Sequence, residues 1–88
     1  MNTFKLTVAS PDGSKFSGEI AKLDVRGTEG ELAVMAGHIP FVSYVKPCDC
    51  KIVLEDGTER IGRTEGGILT VSKEKVILLS GDLTWKQT

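Results

Sequence analysis

The residue types that most often carry chemistry are few in this 88-residue chain. It has one histidine, His38, and two cysteines, Cys48 and Cys50, which are separated by Asp49. On an extended strand the two thiols would point to the same face about 7 Å apart, which is too far for a relaxed disulfide. A zinc site would need two further ligands, and His38 could supply only one of them. We therefore expect reduced cysteines, no metal site, and a loop histidine that hydrogen-bonds to backbone.

Signatures of catalysis are also weak. No serine lies in a Gly-x-Ser-x-Gly elbow. Two glycine-rich stretches, Gly27–Gly30 and Glu65–Gly67, are possible phosphate loops, but neither leads into Gly-Lys-Ser/Thr or a helix. Glu29 and Glu31 lie on a polar segment with nothing to desolvate them, so a solvated loop is a simpler interpretation than an acid/base pair. The sequence predicts no catalytic residue and no cofactor.

Charge and composition exclude several classes of partner and location. The chain has 11 Lys+Arg against 12 Asp+Glu and no basic run, so nucleic-acid binding is not expected. Its 40% hydrophobic and 26% charged residues are typical of a soluble globular protein. No apolar run is long enough to cross a membrane, and the first residues do not resemble a signal peptide. These features predict one cytosolic domain.

The elements that must position these residues alternate with period two. Phe4, Leu6 and Val8 are separated by polar or small residues, as in a half-buried strand. Turn signals such as Ser10–Gly13 and Glu55–Thr58 recur about every ten residues and interrupt every helical pattern. Further short strands are predicted near residue 16 and over 21–25, 32–35, 41–45, 52–54, 60–62, 68–71 and 76–79. The series predicts an all-β antiparallel sandwich or barrel.

The same alternation predicts the core. The expected core residues are Phe4, Leu6, Val8, Leu23, Val25, Val34, Leu54, Leu69, Val71, Ile77 and Leu79. The unbroken apolar run Val76–Leu79 is typical of a strand that is covered on both faces.

A longer motif joins the histidine to the glycine-rich stretch before it. From Arg26 to Pro40 the chain reads Arg-Gly-Thr-Glu-Gly-Glu-Leu-Ala-Val-Met-Ala-Gly-His-Ile-Pro. This resembles the run Gly-x-x-Gly-Glu-Leu-Gly-Val-x-Pro-Gly-His-x-Pro of the epsilon subunit of F-type rotary ATP synthases. The similarity continues in order through Phe4–Val8, Val45–Pro47, Gly66–Val71 and Val76–Leu79, so it covers residues 3 to about 81.

The resemblance implies a fold and a role. The fold is a single β-sandwich of about ten short antiparallel strands, with a domain over residues 1–88, a core over about 3–81 and a short tail over 82–88. The role is a non-catalytic central-stalk (rotor) subunit of a bacterial F-type ATP synthase. It would link gamma to the c-ring and support the coupling of ion translocation to ATP synthesis. The implied location is peripheral, on the cytoplasmic side of the bacterial inner membrane.

Two contact sites are implied by the same resemblance. The gamma subunit is expected on His38, Ile39, Pro40, Phe41, Val42 and Ser43, with Phe41 beside the rigid proline as an apolar anchor. The c-ring is expected on Thr28, Glu29, Gly30 and Glu31. The two glutamates there would complement polar loops of the ring.

The chain also departs from the family pattern. Ala33, Ala36 and Cys48 stand where the family favours Gly, Pro and Gly, so the loop before His38 is expected to be less rigid and the turn after residue 47 to differ. Family members commonly continue into a helical hairpin that restrains ATP hydrolysis and in some species binds ATP. This sequence ends without one, so we expect neither activity and no nucleotide binding. Its end near the last sandwich strand favours a natural short form.

Two alternatives belong to other classes. One is a free-standing β-sandwich adaptor or ligand-binding module unrelated to a rotary ATPase. The other is a small β-barrel enzyme, which the missing catalytic constellations disfavour. Co-purification with gamma and the catalytic subunits would distinguish a stalk subunit from an independent module.

Overall fold

A computed structural model describes residues 2–28 and 30–86. These residues form nine strands and no helix, which confirms the all-β class with one strand fewer than the resemblance implied. The strands are β1 Phe4–Ser10, β2 Gly13–Gly27, β3 Gly30–Met35, β4 Phe41–Val45, β5 Cys48–Leu54, β6 Glu59–Thr64, β7 Gly67–Val71, β8 Lys75–Ser80 and β9 Leu83–Trp85. Within the described part of the chain, nothing has the helical length and hydropathy that crossing a membrane requires.

Strand β2 belongs to both layers of the sandwich. It is 15 residues long, and its first part pairs with β1 from Phe4↔Ile20 to Ser10↔Gly13. Its second part pairs with β3 on one side and β5 on the other. A register shift between Ile20 and Lys22 lets the strand bend from one layer into the other. The two short strands predicted here are therefore one bent strand, because no turn interrupts the backbone between them.

The remaining strands complete the two layers. The first layer has the order β1-β8-β7-β4, and the second has β3, β2, β5, β6 and β9. Strand β4 is joined to β2 by a single pair, Gly27↔Val45. The β1–β8 pair is parallel, whereas the other pairs are antiparallel. The predicted antiparallel sandwich thus contains one parallel neighbour.

The core lies between the layers. Eight predicted core residues are buried: Phe4, Leu6, Val8, Leu23, Val25, Val34, Leu69 and Val71. Others that the sequence did not single out as core include Ile20, Ile52, Val76 and Leu78. Leu54 and Ile77 are only partly buried.

The prediction was wrong for Leu79, which is 53% exposed. Along β8 the side chains of Val76, Leu78 and Ser80 point into the core, so Leu79 must point outward. An unbroken apolar run contains no alternation between apolar and polar residues, so it does not indicate which alternate side chains face the core. The strand is covered fully on one face only.

The β5–β6 hairpin confirms the turn predicted at Asp56 and Gly57. The Leu54 N–H donates to the Thr58 carbonyl (2.8 Å), and the Gly57 N–H donates to the Leu54 carbonyl (2.9 Å). Gly57 has φ of 91°, a conformation that favours glycine. The Thr58 N–H also donates to the Asp56 carboxylate at 2.8 Å, and this bond lowers the pKa of Asp56.

Strand β9 lies within residues 82–88, which the sequence analysis assigned to a short tail. Leu83 is buried, and β9 pairs with β6 through Thr64↔Leu83 and Gly62↔Trp85. The Arg60 guanidinium carbon lies 3.8 Å from the Trp85 ring centroid, which favours a cation–π contact. Three residues are too few to show the alternation that predicts a strand from sequence. Leu83–Trp85 is a strand because it pairs with β6.

Candidate partner-binding surface

His38 fastens the β3–β4 loop to the rest of the first layer. Its Nδ1 lies 2.8 Å from the Met35 carbonyl oxygen, and its Nε2 lies 2.7 Å from the Ser72 carbonyl oxygen. The ring also packs edge-on against Phe4, with 5.3 Å between centroids. The predicted backbone-bonded loop histidine is confirmed, and both nitrogens are occupied in holding loops together.

The segment expected to contact gamma presents only some of its side chains. Ile39, Pro40 and Val42 are exposed, with Val42 at 69%. Phe41 is partly buried and packs against the core, and Ser43 is also partly buried. The alternation along β4 explains this, because Val42 and Phe41 point to opposite faces. The structure therefore places Phe41 beneath the surface, where it supports the exposed residues.

Large apolar side chains continue from Val42 across the outer face of the first layer. Tyr44 on β4, which is 68% exposed, pairs with Ile68 on β7, and Ile68 pairs with Leu79 on β8. Both Ile68 and Leu79 are exposed. We call Val42, Tyr44, Ile68 and Leu79 the apolar face. Neighbouring exposed apolar side chains of this size are typical of a protein-binding surface.

The outer face of the second layer has the opposite character. Its ion pairs join Lys22 to Asp24 (3.6 Å), Arg26 to Glu31 (3.3 Å), Lys51 to Glu59 (3.7 Å), Arg63 to Asp49 (3.9 Å) and Lys86 to Asp49 (2.7 Å). We call these residues the charged face. An open groove of about 900 Å³ runs over much of it. Each exposed pair contributes little to stability, but together they keep this layer hydrated.

The turn expected to contact the c-ring forms the tip of the β2–β3 hairpin. Its ends are the pair Gly27↔Gly30, and Gly30 has φ of 127°. Thr28, Gly30 and Glu31 are exposed. Glu29, also predicted for this contact, lies outside the described residues. The hairpin thus presents a polar tip, and Glu31 there makes only an exposed pair with Arg26.

The cysteines point inward from β5, on the same face as predicted. Both Cys48 and Cys50 are buried and free. Burial raises the pKa of the Cys50 thiol to about 11, and the nearby charges of Cys48 and Asp49 add to the effect. A hydrogen bond with the Gly62 backbone opposes it. A thiol with so little thiolate near neutral pH is a poor nucleophile. Over residues 2–28 and 30–86, no three His, Cys, Asp or Glu side chains are grouped as metal ligands.

The sequence and the fold are both similar to those of known proteins. The chain matches the β-sandwich domain of the ATP synthase delta/epsilon chain over residues 3–86. Its fold is similar to a chain of the Euglena gracilis mitochondrial ATP synthase (OSCP/F1/c-ring, rotational state 1), with a TM-score of 0.89 and 24% identity. It is also similar to a chain of the Tetrahymena thermophila mitochondrial ATP synthase central stalk/c-ring, with a TM-score of 0.75 and 12% identity.

The coverage of these matches decides what they show. The alignments cover 94% and 93% of this chain, but 53% of the Euglena chain and 66% of the Tetrahymena chain. At such identities the two structures show the fold alone, and this chain spans about half the length of the Euglena chain. The family match extends over almost all of the described residues. This chain therefore belongs to the ATP synthase delta/epsilon chain family, whose β-sandwich domain it forms.

Proposed function

We propose that this domain is a non-catalytic subunit of the central stalk (rotor) of an F-type ATP synthase. The observation that carries the proposal is the contrast between its two outer faces: the apolar face on one layer and the charged face on the other. A stalk subunit must stay bound to another protein through one side while its other side meets water, and this arrangement provides both. Family membership favours a stalk role over a free-standing adaptor.

The gamma contact is proposed on His38–Ser43 together with the apolar face. Ile39, Pro40 and Val42 would touch the partner directly, because they are the exposed members of the segment. His38 and Phe41 would hold the loop from beneath, through the two carbonyl contacts and the core packing. A loop that is already fixed in place loses little entropy on binding.

The c-ring contact is proposed on Thr28–Glu31. This hairpin tip is polar, and its glycine allows another polar surface to approach closely. Two separate attachment points would let one rigid sandwich hold gamma to the ring and so support the coupling of ion flow to ATP synthesis.

The source and location are also part of the proposal. A bacterial enzyme, with the domain peripheral on the cytoplasmic side of the inner membrane, is inferred from the epsilon-type sequence signature. The two similar structures are mitochondrial. Purification of the complex from the organism that encodes this chain, with identification of its subunits and compartment, would test this point.

Replacement of Val42 by aspartate should weaken gamma binding by about 1–3 kcal/mol if Val42 lies at the centre of the contact. A carboxylate there would be desolvated against an apolar surface without a partner. Purified gamma immobilised for biolayer interferometry gives the dissociation constant directly. Thr84→Asp is the matched control, because it adds the same charge on the second layer. Unchanged affinity in Val42→Asp would exclude Val42 from the gamma contact.

A charge reversal at the hairpin tip tests the c-ring contact. The double variant Glu29→Lys, Glu31→Lys should bind gamma normally, yet impair ion pumping in reconstituted vesicles while ATP hydrolysis is largely retained. Reversal should exceed the effect of Glu31→Gln, since it adds repulsion, whereas loss of one exposed pair is worth about 0–1 kcal/mol. Full coupling in an assembled complex that contains the double variant would refute this contact.

A further inference from the structure

The apolar face ends in a cleft, and most of the cleft's lining lies outside the gamma contact described above. The cleft has a volume of about 400 Å³ and lies where the β1–β2 turn meets the start of β7 and the end of β8. All of its lining residues are uncharged: Ala9, Ser10, Pro11, Gly67, Ile68, Leu79, Ser80 and Gly81. Ile68 and Leu79 belong to both the cleft and the apolar face, so the two surfaces are continuous.

One wall of the cleft is held rigid by buried polar groups. Among the described residues, Thr64 and Ser80 are the buried polar side chains, and their hydroxyl oxygens lie 2.6 Å apart. Ser80 donates to the Asp82 carbonyl, so the Thr64 hydroxyl donates to Ser80. The Gly66 N–H in turn donates to Thr64 at 3.1 Å. A directed chain of hydrogen bonds thus fixes the strand ends behind the cleft.

Glycine at position 67 brings the strands at this wall unusually close. A Cβ at Gly67 would lie 1.8 Å from the Leu79 carbonyl oxygen, so β7 and β8 could not approach as they do with any other residue. The Gly81 N–H also donates to the Gly66 carbonyl at 2.9 Å. The cleft is therefore formed before any partner arrives, and filling it requires little rearrangement.

Acidic residues adjoin the cleft lining in sequence: Asp12 follows Pro11, Asp82 follows Gly81, and Glu65 lies two residues before Gly67. Asp12 and Glu65 are exposed, and the Asp82 side chain is 49% exposed. Glu65 Cβ lies 3.6 Å from the position that a Cβ on Gly81 would occupy. Lys15 is the cation paired with Asp82, at 3.7 Å. We call these three carboxylates, one of which is paired with Lys15, the acidic rim of the uncharged cleft.

We propose that this cleft receives one apolar side chain of the gamma subunit, from a segment that carries Lys or Arg beside that side chain. The inference rests on the proposed function and assigns the anchor of that interface. We infer an apolar occupant because the walls of the cleft are uncharged and preformed. We infer basic residues beside it because they would complement the acidic rim. The anchor then lies on β8 and the β1–β2 turn, away from the β3–β4 loop.

Leu79→Lys tests the proposal directly. Leu79 is half exposed, so the variant should fold, but its ammonium would face both an apolar side chain and the partner's cations. We expect the affinity for immobilised gamma to fall about 10–30-fold. The pair Asp12→Lys, Glu65→Lys should also weaken binding and reduce its dependence on salt. Thr84→Lys adds the same charge on the second layer and should bind within about twofold of the wild type.

The possible failures can be told apart. If Leu79→Lys and the rim variant bind gamma normally while Val42→Asp does not, the cleft inference is wrong and the proposed function stands. If the wild-type chain does not bind gamma at all, both fail. If light scattering shows a wild-type dimer that Leu79→Lys converts to a monomer, the cleft is occupied by a second copy instead, which also overturns the proposal.

Discussion

Leu78→Ala should lower the free energy of unfolding by about 2–5 kcal/mol, whereas Leu79→Ala should lower it by less than about 1 kcal/mol. The two residues are adjacent and chemically identical, but Leu78 is fully buried and Leu79 is 53% exposed. Truncation of Leu78 leaves a cavity in the core, and truncation of Leu79 removes atoms that already meet water. Urea titration of both variants measures the difference.

A second buried position extends this comparison. Leu69→Ala on β7 should behave like Leu78→Ala, because Leu69 is equally buried and pairs with Leu78 in register. Equal losses at positions 78 and 79 would contradict the observed register of β8. A shift by one residue would exchange which of the two side chains faces the core.

Gly67→Ala should destabilise the domain by at least about 3 kcal/mol, enough to leave a small domain largely unfolded in mild denaturant. The added Cβ would lie 1.8 Å from the Leu79 carbonyl oxygen and 2.8 Å from its carbonyl carbon. Both atoms are backbone in a paired strand, so no side-chain rotation can relieve the clash. The β7–β8 ladder would have to separate at this end.

Gly18→Ala is the matched control for that variant. A Cβ at Gly18 would meet the Phe16 ring at 3.6 Å, an ordinary van der Waals distance. Loss of backbone freedom in the unfolded chain should make this change neutral or slightly stabilising. Thermal melts followed by circular dichroism would compare the two. A Gly67→Ala protein as stable as Gly18→Ala would mean that β7 and β8 are not this close.

Local patterns in the sequence were enough for the strand content and for the β5–β6 turn. Alternation of apolar and polar residues over a few positions indicates a strand with one buried face. The dipeptide Asp56-Gly57 indicates a turn that needs a positive φ. The order of motifs around Arg26–Pro40 indicated the family, which the match over residues 3–86 then showed. These features depend on neighbours in the chain, so they are visible before folding.

Pairing between distant strands decided the rest of the fold. β9 is a strand because β6 offers it an edge, and β2 is one element because both layers use it. Which side chains of β8 face the core is set by the register of β8 with β1 and β7. The unbroken apolar run Val76–Leu79 does not indicate that register.

The sequence by itself indicated an all-β domain and, by resemblance, led us to propose a binding segment at His38–Ser43. Only the tertiary structure decided that Phe41 supports this segment from inside, and that Tyr44, Ile68 and Leu79 lie side by side. Those three residues come from three strands, β4, β7 and β8, and cross-strand register makes them neighbours. A surface built across a sheet cannot be read along a strand, because adjacent residues point to opposite faces while distant ones share a face.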